Sequence, residues 1–201
     1  MADPEPQHLM VSPICLTRED REVIYIALLR AINLGRVNRV PMRDLRVALT
    51  DVGFTDVSTH LQSGNVVLAS TKRAPTAVAT AVEKLVRSEF DVDTDVMVRT
   101  AGELAKIAGT NPLARRGGDA GTLHVAFLKA RPTAAAKRAL AGRTFGDDEF
   151  DIRGADVYLR YPHGVAGSKL STPVFERALG TPATVRTWKV VRRLDELAAG
   201  A

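Results

Sequence analysis

Apolar positions along this chain switch between continuous runs and helical spacing. Val23 to Leu29 (V-I-Y-I-A-L-L) is an unbroken apolar run, the pattern of a central strand covered on both faces. Pro41 then opens a helix on which Met42, Leu45, Leu49 and Val52 share one face. Gly53 closes it and Phe54 is placed to pack back on the last turn. Strands are predicted at Asp56–Leu61 and Asn65–Ser70, joined by a tight Ser63-Gly64 turn. Pro75 opens a longer helix to Phe90 with Val78, Val82, Leu85 and Val86 inward, and Thr94–Arg99 reads as a further strand. The order β-α-β-β-α-β is that of a ferredoxin-like unit.

Thr100 and Glu103 make a capping box for a short helix ending near Gly109. A polar, glycine-rich stretch follows, and the pattern then repeats. Thr122–Lys129 is a strand, Thr133 caps a helix to Ala141, and Phe150–Arg153 with Asp156–Arg160 forms a hairpin around Gly154. Thr172, as N-cap ahead of Pro173, starts a helix closed by Gly180. Thr187 to Ala198 has helical spacing, with Trp188, Val191, Leu194 and Leu197 on one face and no final strand evident. The fold class is therefore α+β, with two ferredoxin-like (βαββαβ-type) subdomains, the second ending in a helix. Residues 1–20 read as a flexible leader, 21–110 as the N-terminal subdomain, 111–121 as a linker and 122–201 as the C-terminal subdomain.

Composition changes this picture little. The 201 residues suffice for real cores, and 45% hydrophobic with 25% charged residues is ordinary for a soluble domain. No apolar run reaches the roughly 20 residues of a membrane helix, so no membrane partner is expected. The formal net charge is +5, which suits an anionic partner. Arginine dominates the basic residues, however, and aromatics make up only 5%, so base stacking is poorly supplied. Nucleic acid is not the expected partner. The single cysteine, Cys15, excludes an intrachain disulfide and fits a reducing, cytoplasmic setting.

Catalytic constellations are missing from the pattern. The four histidines lack metal-ligand spacing, and there is no G-x-S-x-G elbow. Asp147, Asp148, Glu149 and Asp151 read as a solvated acidic turn. Polar side chains do gather at element ends. Arg30 leaves a buried strand, where an internal carboxylate is its favoured partner. Asn33 and Gly35 shape the following loop or merely tolerate its turn. Gln62 and Asn65 either read a ligand or lock the hairpin. Gly164 to Ser171 departs from the phosphate-loop spacing, leaving Ser168 and Lys169 before a helix start as a weaker anion site. Trp188 reads as core packing rather than as a stacking platform.

The motifs A-L-L-R-A-I-N-L-G, G-F-x-x-V-x-T-H-L-Q-S-G-N-V, Y-P-x-G-x-x-x-S-K-L and R-T-W-K-V-V-x-x-L-x-E-L resemble those of an uncharacterised bacterial family, domain of unknown function 1697. The resemblance spans Val23 to Leu197. The family usually has Gly where Ala31 stands, Tyr-Ile for His60-Leu61, and Ala-Arg-Asn-Trp for Val185 to Trp188. It implies a two-subdomain α+β fold and no activity.

The reading is a protein that binds a small anionic or phosphorylated ligand in a groove between the subdomains. Its residues would be Arg30, Asn33, Gln62, Asn65, Ser168, Lys169 and Arg186. No cofactor or metal is expected, and the sequence does not decide whether the chain is an enzyme. A nucleic-acid-binding module and a homodimeric interaction protein without catalysis are the alternatives. One geometric objection accompanies the reading. The first and third strands of such a sheet are expected to run parallel, so the loop after Leu29 and the turn at Gly64 would fall at opposite sheet ends.

Overall fold

The computed structural model describes residues 22–114 and 119–201. The leader of residues 1–20, Cys15 within it, and residues 115–118 of the expected linker lie outside the described residues. The first half runs β1 (Val23–Leu29), α1 (Met42–Asp51), β2 (Thr55–His60), β3 (Asn65–Ser70), α2 (Pro75–Phe90), β4 (Val96–Thr100) and α3 (Ala101–Gly109). The second repeats that order as β5 (Leu123–Leu128), α4 (Ala134–Ala141), β6 (Glu149–Arg153), β7 (Asp156–Arg160), α5 (Thr172–Leu179), β8 (Ala183–Thr187) and α6 (Trp188–Ala199). The chain is thus mixed α+β, with two four-stranded antiparallel sheets ordered β2-β3-β1-β4 and β6-β7-β5-β8.

Two expectations need correcting. The first and third strands are antiparallel, with Leu28 opposite Asn65. Since β2 and β3 form a hairpin, the crossover through α1 makes β1 parallel to β2 rather than to β3. The loop after Leu29 and the Gly64 turn therefore share one sheet end, joined by Leu29 N–H donating to the Gly64 carbonyl at 2.8 Å. A final strand also exists. β8 pairs with β5, and Thr187 at its end is the N-cap of α6, accepting from Val190 N–H. Smaller shifts are local. Val52 caps α1 and is exposed rather than inward, and Ser171, not Thr172, is the N-cap of α5.

Side-chain alternation divides the interior into three layers. Tyr25, Ala27 and Leu29 of β1 face α1 and α2. Ile26 and Leu28 face the second sheet across a central core that holds α3, α6 and Val125, Phe127 and Trp188. Ala126 and Leu128 of β5 face α4 and α5. The two sheets therefore share one central core, and polar groups at its margins can bridge the halves. Gly64 is required where it stands. Its φ is +75°, and a Cβ there would lie 2.8 Å from both Leu29 Cβ and Ile32 Cδ1.

Candidate functional site

Each half sends one buried arginine into the other, from matching places. Arg99 on β4 precedes Thr100, the N-cap of α3, and Arg186 on β8 precedes Thr187, the N-cap of α6. Arg99 Nη2 donates to the Leu128 and Ala155 carbonyls at 3.1 and 2.9 Å, at the end of β5 and the start of β7. Arg186 Nη2 donates to the Leu29 and Ser63 carbonyls at 2.9 and 2.8 Å, at the end of β1 and just before β3. Lysine and arginine then cross reciprocally. Arg30 grips Glu176 of α5 through two bonds of 2.9 and 3.0 Å, the internal carboxylate its position called for. Lys129 meets Glu83 of α2 at 3.0 Å and Asp95 at 2.6 Å. The bonds with Asp95 and Glu83 hold the Lys129 ammonium above its ordinary pKa, against the effect of burial.

The two junctions differ in one charge. Arg99 Nε and Nη2 donate to Asp156 Oδ1 at 3.0 and 2.8 Å. At the matching position Arg186 Nε donates to Asn65, a neutral amide. Asn65 in turn donates to the His60 carbonyl at 2.7 Å and Ser63 Oγ at 3.0 Å, so its amide locks the turn as well. Burial without a counter-charge lowers the Arg186 guanidinium to about 10. At the other junction burial pushes the Asp156 carboxyl up, although Arg99 pulls it down.

The Asp156 junction opens into a groove of about 760 Å³. One wall is the α2 face from Pro75 to Glu83 with Lys106, Ile107 and Thr110 of α3, and the other is Lys129, Arg131 and the Arg153–Asp156 turn. Val96, Val98 and Tyr158 give it apolar surface. Five cations (Arg99, Lys106, Lys129, Arg131, Arg153) line it against three carboxylates (Glu83, Glu103, Asp156). Three of those cations are engaged: Arg99 by Asp156, Lys129 by Glu83 and Asp95, Arg153 by Asp151 at 3.2 Å. Lys106 and Arg131 are exposed, and their side chains make no hydrogen bond or ion pair among the described residues. Arg153 also lies over the Tyr158 ring, 5.8 Å from its centroid. Burial, reinforced by Asp156, raises the Tyr158 hydroxyl. This arrangement can neutralise an anion. No nucleophile sits beside a base in it, and no metal-binding group of His, Cys, Asp and Glu occurs among the described residues.

None of the seven residues singled out from sequence lines this groove. Arg30, Asn65 and Arg186 come together at the other junction, and Asn33 joins them by donating to the Gln62 carbonyl at 2.8 Å. The Gln62 side chain is exposed. Ser168 and Lys169 stand apart. Ser168 Oγ donates to Asp148 Oδ2 at 2.6 Å and accepts from Leu170 N–H at 3.0 Å, while Lys169 is exposed. Among the described residues no hydrogen bond or ion pair ties that loop to Arg186 or Gln62. Trp188 is buried in the central core.

Residues 23–158 match the profile of a family described as Protein of unknown function (DUF1697). The chain belongs to that family. The matched span includes every residue that lines the groove and ends before Arg186 and α6. The conserved bacterial protein SP0830 from Streptococcus pneumoniae is similar in structure, with a TM-score of 0.65 at 16% identity, over 89% of this chain and 99% of that one. At that identity the likeness is one of fold. Among curated proteins, none matches the chain. No helix among the described residues is long and apolar enough to cross a membrane.

Proposed function

We propose that the chain binds a small anionic, phosphorylated ligand in the groove between its two halves. The β2-β3-β1-β4 and β6-β7-β5-β8 orders support reading each half as a ferredoxin-like unit, with the groove at one of their two junctions. The observation that carries the proposal is the pair of unengaged cations, Lys106 on α3 and Arg131 after β5, facing one cavity from opposite halves. An ammonium and a guanidinium converging from two elements suit phosphate oxygens, which accept several charge-assisted bonds at once. The Thr76 and Thr80 hydroxyls supply neutral donors along the same walls, and the Glu83 and Glu103 carboxylates suit hydroxyl groups on the remainder of the ligand. The apolar surface at Val96, Val98 and Tyr158 accommodates carbon framework.

Thermal unfolding with pyrophosphate, sugar phosphates and nucleoside phosphates tests this reading. A ligand at about a hundredfold over its dissociation constant stabilises the native state by roughly 3 kcal/mol. Lys106→Gln and Arg131→Gln, both at exposed positions, should leave the unliganded melting temperature unchanged and weaken that stabilisation. No shift with any anion, or equal shifts in both variants, contradicts the proposal.

A further inference from the structure

Between β1 and α1 the chain builds a small projecting hairpin that the groove does not use. Asn33 N–H donates to the Asn38 carbonyl at 2.9 Å and Val37 N–H to the Leu34 carbonyl at 3.1 Å, with Gly35 and Arg36 at the tip. Leu34 and Val37 form an antiparallel bridge, so their side chains share one face. Both are 63% exposed. Side-chain amides hold this shape. Asn33 Nδ2 donates to the Val40 and Gln62 carbonyls at 2.9 and 2.8 Å, and Asn38 Nδ2 to the Ala31 carbonyl at 3.0 Å. Through Gln62 the hairpin is laced to the β2–β3 turn, whose Leu61 is 56% exposed.

Ala31, Asn33, Asn38 and Leu61 all have positive φ, four of the six such non-glycine residues among those described. Asparagine takes this conformation readily, but Ala31 and Leu61 adopt it at a cost, and such strain gathers where a surface is used. The charge is one-sided as well. From Ala31 to Arg43 there is no acidic residue, Asp44 on α1 being the first, and the side chains of Arg36, Arg39 and Arg43 make no hydrogen bond or ion pair among the described residues.

We infer that this hairpin docks the protein onto an anionic lipid surface, with Leu34 and Val37 entering the headgroup boundary and the arginines meeting phosphates. A convex tip with paired aliphatics suits a yielding surface, whereas peptides are taken up in grooves or along sheet edges. Single-stranded nucleic acid binding draws on aromatic stacking, and residues 31–43 contain no aromatic ring, while the phosphates of a duplex give the exposed Leu34 and Val37 nothing to enter. Three basic side chains near an anionic leaflet supply the attraction, and aliphatic burial makes it persist. This contact is peripheral and independent of the groove.

Co-sedimentation of the full chain with phosphatidylcholine vesicles, with and without phosphatidylglycerol, tests it. Binding should require the anionic lipid and weaken as salt rises. The Leu34→Ser, Val37→Ser double variant and the Arg36→Glu, Arg39→Glu double variant should each lower the partition coefficient about fivefold or more at an unchanged melting temperature. Four results overturn the inference: no binding to anionic vesicles; equal binding by wild type and variants; light scattering in which Leu34→Ser, Val37→Ser abolishes self-association instead; or hairpin-dependent binding of single-stranded DNA with none to vesicles.

Discussion

Replacing Asp156 by asparagine, and separately by alanine, probes the buried charge at the groove. In wild type one carboxylate oxygen of Asp156 accepts both Arg99 bonds, at 3.0 and 2.8 Å. Asparagine keeps that acceptor and turns its amide toward the groove, reproducing what Asn65 does for Arg186. The cost of a buried arginine without a counter-charge is set by Arg186, lowered by roughly two to three pKa units from the ordinary guanidinium value to about 10. At about 1.4 kcal/mol per pKa unit that is about 3 kcal/mol. The same change removes the burial penalty of the Asp156 carboxyl, which outweighs the pull of Arg99 on that group and so offsets the cost. Asp156→Asn is therefore expected to change stability by less than about 1 kcal/mol, and Asp156→Ala, which strands two guanidinium donors, to lose about 3–5 kcal/mol. Urea denaturation at neutral pH measures both. The pH dependence has a definite sign. Because the folded pKa of Asp156 lies above 3.8, the folded state holds that proton more tightly than the unfolded chain. Wild type should gain on Asp156→Asn as pH falls through the folded pKa toward 3.8, and lose that gain as pH rises. Equal losses for Asn and Ala, or losses below about half a kcal/mol for both, would refute the reasoning.

Two further perturbations test the backbone around the first junction. Gly64→Ala places a Cβ 2.8 Å from Leu29 Cβ and Ile32 Cδ1 at a φ of +75°, so equilibrium unfolding should show a loss of about 3 kcal/mol. Ala31→Gly relieves a left-handed alanine at φ 54°, and the melting curve should move up by the equivalent of about 1 kcal/mol. No stabilisation there would mean that the left-handed turn costs the alanine nothing.

Much of the architecture was legible where local chemistry agrees with the fold. β1, β3 and α2 fall where the apolar run, the Gly64 turn and the Pro75 start place them. The Thr100–Glu103 capping box forms as spaced. β8 escaped because it is five residues long, carries Thr184 and Arg186, and runs straight into its own helix cap at Thr187. Its polar side chains serve the opposite half: Arg186 reaches the Leu29 carbonyl at 2.9 Å, and no local periodicity encodes that. The direction of β3 relative to β1 follows from the crossover through α1, a topological fact rather than a pattern in the strands.

The groove was hidden for a related reason. Lys106, Arg131 and Arg153 each look like ordinary surface cations, and only the packing of one half on the other makes them converge. One signal was present. Val98-Arg99-Thr100 and Val185-Arg186-Thr187 repeat the same tripeptide, an arginine followed by a helix cap, once in each half. That pairing points to the two junctions, though not to which of them opens.

Amide chemical-shift mapping of the full chain titrated with pyrophosphate addresses the ligand proposal most directly. Saturable shifts should centre on Lys106, Thr110, Ala130, Arg131 and the Arg153–Asp156 turn, and be lost in Arg131→Gln. Absence of saturable shifts, or shifts centred on the Ser168–Lys169 loop with the groove unmoved, would contradict the account.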